Sequence, residues 1–245
     1  MNPITDLDWR RLWIERDSLR QKPGNVEYWD DRARDQDTFR DLDTKSRYSD
    51  IFIEYLDLVA GETVFDMGCG NGGLAIPLAQ AQHPVIACDF SAKMLDVLRQ
   101  HCLDNDVSGI DIHQLSWTDD WEVLGIKAAC VDVAIASRSL LVSDLWDAFL
   151  RLSQLARRKV AITIATDFGP RSTNKLGETV AGTTFLPDYI YAINMLFKMG
   201  YYPELRYIDS IKKDATGELR LIKWAYIAWE TNSDSSPDSS SNLDL

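Results

Sequence analysis

Five short runs of apolar and β-branched residues recur through the middle of this chain: Thr63-Val64-Phe65, Val85-Ile86-Ala87-Cys88, Ile110 to Leu115, Val131 to Ala136 and Val160 to Ala165. Their starts lie about 21 to 29 residues apart, the length of a strand plus a returning helix. Three of the runs are apolar on successive residues instead of alternating, as strands covered on both faces are. The spacing therefore predicts a mostly parallel sheet with helices on both sides, a Rossmann-like α/β fold. The helices between the runs have readable starts. Ser91 precedes Lys93, Met94, Leu95 and Leu98, and Ser143 precedes Leu145, Trp146, Phe149 and Leu152, each an N-cap residue followed by an apolar stripe. A helix is also expected from Leu74 to Ala81. The rhythm breaks near the end, where Leu205 to Ile208 and Leu219 to Trp229 flank the turn-rich Lys212 to Gly217. That pattern predicts a hairpin closing the sheet with an antiparallel last strand.

The flanks differ from this middle. Residues 1–60 are polar and carry helical patterns such as Leu7, Arg11, Ile14 and later Ile51, Tyr55, Leu58, Val59, so they are expected to form an N-terminal helical cap. Within it, Lys22-Pro23-Gly24-Asn25 is a turn cluster that offers Asn25 as N-cap for a helix bearing Tyr28, Trp29 and Ala33. Residues 61–230 form the expected main domain, and 231–245, rich in Ser, Asp and Asn, lack the bulk to offset ordering entropy and are expected to be a disordered tail. With 26 Lys and Arg against 38 Asp and Glu, the formal charge is −12, which repels phosphate backbones and anionic lipid and disfavours a nucleic-acid partner. No apolar run approaches the ~20 residues of a membrane span, and the acidic start lacks a signal peptide's order, so a cytoplasmic address with no membrane partner is expected. Cys69, Cys88, Cys102 and Cys130 match no metal spacing and are read as reduced thiols; His83, His101 and His113 have no second ligand at metal spacing, and no metal is expected.

The most informative stretch is Val64-Phe65-Asp66-Met67-Gly68-Cys69-Gly70-Asn71-Gly72-Gly73, where a strand ends in glycines and runs into a helix. Such a loop lets backbone approach a ligand closely, and free amides at the helix start attract an anion, so a nucleotide-like ligand is expected. Gly68, Gly70 and Gly73 also fit G-x-G-x-x-G, the loop of an NAD-dependent oxidoreductase. Asp89, at the end of the second run, suits the ribose of either ligand. Asp66 separates the two readings: a carboxylate at the loop mouth repels a pyrophosphate and attracts an ammonium or a sulfonium.

On these residues the segment resembles motif I of the class I S-adenosylmethionine-dependent methyltransferases, apolar residues, Asp, then G-x-G-x-G. Ile86-Ala87-Cys88-Asp89-Phe90-Ser91 with Met94-Leu95 resembles the family's second motif. The resemblance implies a seven-stranded sheet with a reversed last strand and S-adenosyl-L-methionine as cofactor. It implies that Asp66, Gly68, Cys69, Gly70, Asn71 and Gly72 hold the methionine part, that Asp89 holds the ribose, and that Phe90, Met94, Ser116 and Trp117 lie at adenine. At Ser116 the family more often has an acid. The Tyr28-to-Arg34 segment is similar to the N-terminal element that covers the cofactor in many small-molecule members, which makes Trp29 a further candidate; Tyr28 and Arg34 belong to the same element.

The fourth run ends in Ser137-Arg138-Ser139, without the Asn/Asp-Pro-Pro-aromatic motif of base-modifying amino methyltransferases. Ser137 and Arg138 are candidates for lining the site, since ligands of open α/β sheets bind beyond the carboxyl ends of strands. After the fifth run, Thr166 to Phe185 is a long glycine-containing loop on the ligand side, and with Tyr189, Tyr191 and Phe197 it is the candidate for acceptor recognition. The expected function is methyl transfer to a small-molecule acceptor, with the catalytic base unassigned. The alternatives are the oxidoreductase and a protein that binds S-adenosylmethionine or its product without catalysis.

Overall fold

The computed structural model describes residues 7–18, 26–33, 47–140, 142–166, 179–180, 183–184, 186–213 and 217–231. Its helices are α1 (Trp9–Ser18), α2 (Val26–Arg32), α3 (Tyr48–Leu56), α4 (Ala75–Gln80), α5 (Ala92–Asp104), α6 (Leu145–Leu155) and α7 (Asp188–Lys198). Its strands are β1 (Val64–Met67), β2 (Val85–Asp89), β3 (Ile110–Gln114), β4 (Val131–Ser137), β5 (Ala156–Ala165), the short β6 (Thr179–Val180) and β7 (Thr183–Thr184), β8 (Glu204–Lys213) and β9 (Leu219–Glu230). Seven strands form one sheet in the order β3-β2-β1-β4-β5-β9-β8, while β6 and β7 pair with each other. The first five are mutually parallel, and β9 runs antiparallel to both β5 and β8. The sheet is therefore the expected one, reversed hairpin included.

Val64 pairs with Val85 on one side and with Val133 on the other, so β1 lies between β2 and β4. The strand order reverses there, which opens a crevice at the carboxyl ends of β1 and β4. Successive residues feed two cores, one per sheet face. Phe65, Met67, Phe149, Ile162 and Trp229 pack beneath α6 and α7, and Val64, Leu78, Leu98, Ile135 and Tyr226 pack with α3, α4 and α5. That is why the runs read as continuously apolar.

Several boundaries differ from the expectation. The N-cap of α6 is Asp144, not Ser143; its carboxylate accepts the Asp147 N–H at 3.3 Å, an acid at a helix start being favoured by the dipole as well. α4 is one residue shorter at each end than expected. β5 starts at Ala156, directly after the last residue of α6, four residues before its apolar run, because Arg157 to Lys159 continue the strand with polar side chains. Asn25, Arg34, most of the loop between Thr166 and Phe185 and the tail from Asn232 lie outside the described residues.

α1 packs on α6 and α7. Trp9 and Trp13 meet the Tyr191 ring edge-on at 6.0 and 6.1 Å, Arg10 pairs with Asp144, and Arg16 pairs with Asp188. Tyr191, a candidate for acceptor recognition, is taken up by this contact, and Phe197 is exposed and packs edge-on against Tyr202. Trp13 is only 2% exposed, so Trp13→Ala is expected to cost about 3–5 kcal/mol in urea unfolding. A loss below ~1 kcal/mol would mean that α1 is not docked in solution. Among the described residues no helix is long and apolar enough to cross a membrane.

Candidate functional site

The site begins where β1 ends. Gly68 turns the chain with a φ of 78°, and a Cβ there would lie 2.2 Å from the Cβ of Ser139, so the turn after β4 sits directly on the glycine loop. The Ser139 hydroxyl completes that contact by donating to the Met67 carbonyl at 2.5 Å. At Gly72, with a φ of 91°, a Cβ would meet Leu98 of α5 at 2.4 Å, which brings α5 against the far side of the loop. Most of the loop amides have internal acceptors. Gly68 and Cys69 donate to the Cys88 carbonyl, Gly72 to the Cys69 carbonyl, and Gly70 to Oδ2 of Asp89 at 2.9 Å. Asn71 presents its carbonyl to Nδ1 of His101 at 3.1 Å. These four amides are turned to acceptors within the fold.

Asp89 ends β2, and its other oxygen accepts the Ser91 N–H at 2.9 Å. Ser91 caps α5 as expected, accepting the Met94 N–H at 3.2 Å, and its hydroxyl donates to Asp30 of α2 at 2.7 Å. Lys93 lies 3.4 Å from the same Asp30 carboxylate. α2 is thereby fastened over the first turn of α5, beside Asp89. Trp29 sits on this helix, edge-on to Tyr28 at 5.3 Å. Phe90 is half-buried, its carbonyl accepting from the Gln114 side chain, and Met94 is buried. On the other side of Asp89, the Ser116 N–H donates to Asp119, and the Trp117 indole N–H donates to the Ser139 carbonyl at 3.3 Å while its ring packs on Trp121 at 5.5 Å. Trp117 thus ties the segment after β3 to the turn after β4.

Two carboxylates are buried here. Asp66 is 2% exposed, and among the described residues no N–H or O–H donates to its side chain. Burial, and then the charge of Asp89, push its carboxyl up to about 7, with Arg138 pulling the other way. Burial also raises Asp89, opposed by the N–H groups of Ser91 and Gly70. Burial, and then Asp66 and Asp89, raise the Cys69 thiol well above its ordinary range, so Cys69 is a neutral thiol and not a nucleophile. An acid cavity of this kind favours a cationic ligand, which would relieve the cost of both charges.

Ser137 and Arg138 follow at the end of β4. The Ser137 hydroxyl meets that of Tyr48 at 2.8 Å, and Tyr48 also meets Thr163 of β5 at 2.7 Å. Arg138 has a φ of 57°, donates its N–H to the Thr163 hydroxyl at 3.0 Å, and lays its guanidinium 4.2 Å from the centre of the Tyr48 ring. The structure thus brings the glycine loop, Asp66, Asp89, Ser137 and Arg138 to one end of the sheet, with Trp117 bridging and Trp29 joined through its helix. Sequence reasoning gave no individual role to Asp30, Tyr48, Ser139 or Thr163. Thr163, a lone hydroxyl in an otherwise apolar run, carried a legible signal; Tyr48, nearly 90 residues from Ser137, did not.

Residues 64–175 match a family model described as a methyltransferase domain. The chain is 32% identical over 168 residues to an uncharacterized protein of Haemophilus influenzae, covering 67% of this chain and 60% of that protein. It is 32% identical over 111 residues to a demethylmenaquinone methyltransferase of Paenarthrobacter aurescens, covering 44% of each. The chain thus spans less than two thirds of the length of these curated relatives. Among solved structures, it resembles the magnesium protoporphyrin IX methyltransferase of Synechocystis PCC 6803 with bound SAH, with a TM-score of 0.52, 21% identity, and coverage of 78% of this chain and 83% of that one.

Proposed function

We propose that the chain, whose residues 64–175 match a methyltransferase-domain model, belongs to the class I S-adenosylmethionine-dependent family and transfers a methyl group from S-adenosylmethionine to a small molecule. The observation that carries this reading is the nearly buried Asp66 carboxylate, without a donor among the described residues, at the mouth of a loop whose amides are mostly spent on internal acceptors. A ligand with an ammonium and a sulfonium suits that site, whereas the pyrophosphate of NAD does not.

In this reading Asp66 takes the ammonium and the glycine loop lies along the methionine chain. Asp89 takes the ribose hydroxyls: a carboxylate has about four lone-pair positions, and the two N–H groups it accepts leave room for two more donors. Phe90, Met94 and Trp117 flank the adenine, and α2 with Trp29 covers it. The bound cofactor supplies an activated sulfonium methyl. The chain's part is to orient donor and acceptor in line and to exclude water, which the crevice between β1 and β4 suits. The fold, at low identity to its solved neighbours, leaves the acceptor open; the net charge of −12 and the missing Asn/Asp-Pro-Pro motif favour a small molecule over a nucleic acid. All four cysteines are free, in keeping with a reducing, cytoplasmic setting.

Calorimetric titration with S-adenosylmethionine, S-adenosylhomocysteine and NAD tests the cofactor. Micromolar binding of the first two and none of NAD is expected, and Asp89→Asn is expected to weaken both by about tenfold or more, the loss of a charged hydrogen-bond acceptor. NAD binding alone would replace this reading with the oxidoreductase.

A further inference from the structure

Thr163 brings a hydroxyl into the apolar run Val160 to Ala165 of β5, and it is 1% exposed. A hydroxyl buried that deeply is tolerated only when its hydrogen bonds are made. Thr163 stands opposite Ser137, the last pair of the ladder between β4 and β5. Just past that pair, the Arg138 N–H donates to the Thr163 hydroxyl at 3.0 Å, while the Tyr48 hydroxyl meets the same oxygen at 2.7 Å. The chain turns at this point. Arg138 has a φ of 57°, a left-handed backbone that an L side chain adopts only at a cost, and the bond to Thr163 holds it there.

The turn delivers Ser139, which meets the proposed cofactor site in three ways. Its hydroxyl donates to the Met67 carbonyl at 2.5 Å, its Cβ lies against Gly68, and its carbonyl accepts the Trp117 indole N–H at 3.3 Å. One residue thus touches both the glycine loop, at the methionine end of the reading above, and Trp117, at its adenine end. Resting on the methyl-transfer reading, we infer that Thr163 is a positioning residue for the methyl donor: from β5 it fixes the turn after β4, and through Ser139 that turn sets where the glycine loop and Trp117 stand. Sites of this kind bind well when their parts are already in place before the ligand arrives, so a hydroxyl two strands from β1 governs cofactor affinity without touching the cofactor.

Calorimetric titration of the purified chain and its variants with S-adenosylhomocysteine tests this, with thermal melting run alongside. Thr163→Val keeps the shape and removes the acceptor of the Arg138 N–H; it is expected to raise the Kd about tenfold, and Thr163→Ser, which keeps the hydroxyl, to stay within about threefold of wild type. Should Thr163→Val not fold, Thr163→Ala removes the same hydroxyl without a second methyl in its place and carries the same expectation. Ser210→Ala is the control for lost stability: Ser210 is a buried hydroxyl on β8 that accepts the Trp224 indole N–H at 2.8 Å, and its loss is expected to lower the melting temperature while leaving the Kd within about twofold. Ser139→Ala is expected to weaken binding about as much as Thr163→Val, and the two together little more than either alone, since both act through one turn. A Kd for Thr163→Val within twofold of wild type overturns the inference and leaves the cofactor reading standing. So does an equal loss in Thr163→Ser, an equal loss in Ser210→Ala, or a double variant whose losses multiply. Wild-type protein that does not bind S-adenosylhomocysteine at all sinks the cofactor reading itself, and this inference with it.

Discussion

Asp66→Asn is expected to make the ligand-free protein more stable above neutral pH while removing most of its affinity for S-adenosylmethionine. The carboxyl is raised from 3.8 to about 7 by burial and by Asp89, so the folded chain holds this proton more tightly than the unfolded chain does. Stability from that proton is full below about pH 4 and is lost as pH rises through about 7. At pH 8 the wild-type chain folds around a buried charge, and a shift of this size corresponds to at most about 4 kcal/mol. Asparagine has the same shape without the charge. The two proteins should therefore melt alike near pH 4 and diverge by several degrees at pH 8, with the variant higher. The ligand's ammonium would lose its charged partner, a weakening of about 10- to 100-fold by titration. Melting curves that stay parallel from pH 4 to 8 would show that Asp66 is not desolvated in the free protein.

Gly68→Ala should be the most damaging single methyl in the loop. The added Cβ would stand 2.2 Å from the Ser139 Cβ, atoms with no flexible end to swing aside, at a φ of 78°. The left-handed backbone costs roughly 1–2 kcal/mol and the overpacking roughly 1–3, so a loss of about 2–5 kcal/mol in urea unfolding is expected. Gly72→Ala meets the tip of Leu98, which can turn, and should cost less. Adding Ser139→Gly to Gly68→Ala should restore part of the loss, because it removes the opposing atom; a strictly additive double mutant would mean that the two residues do not touch.

The parallel strands and the closing hairpin were legible because their signals are local: apolar runs, their spacing, and glycines at a strand end. The placing of the glycine loop was legible for the same reason, since Asp66, Gly68 to Gly72 and Asp89 all lie near the ends of two adjacent strands. What stayed hidden depends on contacts between distant segments. Asp30 reaches Ser91 across 61 residues, and Tyr48 reaches Thr163 across 115. No periodicity records such pairs. Ser143 was preferred to Asp144 as a helix cap because both residue types serve, and only the geometry of the first turn decides between neighbours. Tyr191 looked like a ligand contact because its partners, Trp9 and Trp13, lie some 180 residues away on a helix whose docking site the sequence does not announce.

The join between α6 and β5 has a further consequence. With no residue between Leu155 and Ala156, the end of the helix sets the phase of the strand that follows. Side chains alternate along β5, so Ile162 and Ile164 face one core while Thr163 faces Tyr48. One residue inserted at the join would exchange those faces and put an isoleucine where the hydroxyl now receives the Arg138 amide. The β4–β5 side of the crevice is thus timed from the far end of the sheet, and a change of chain length there would be felt some seven residues away as a change of chemistry.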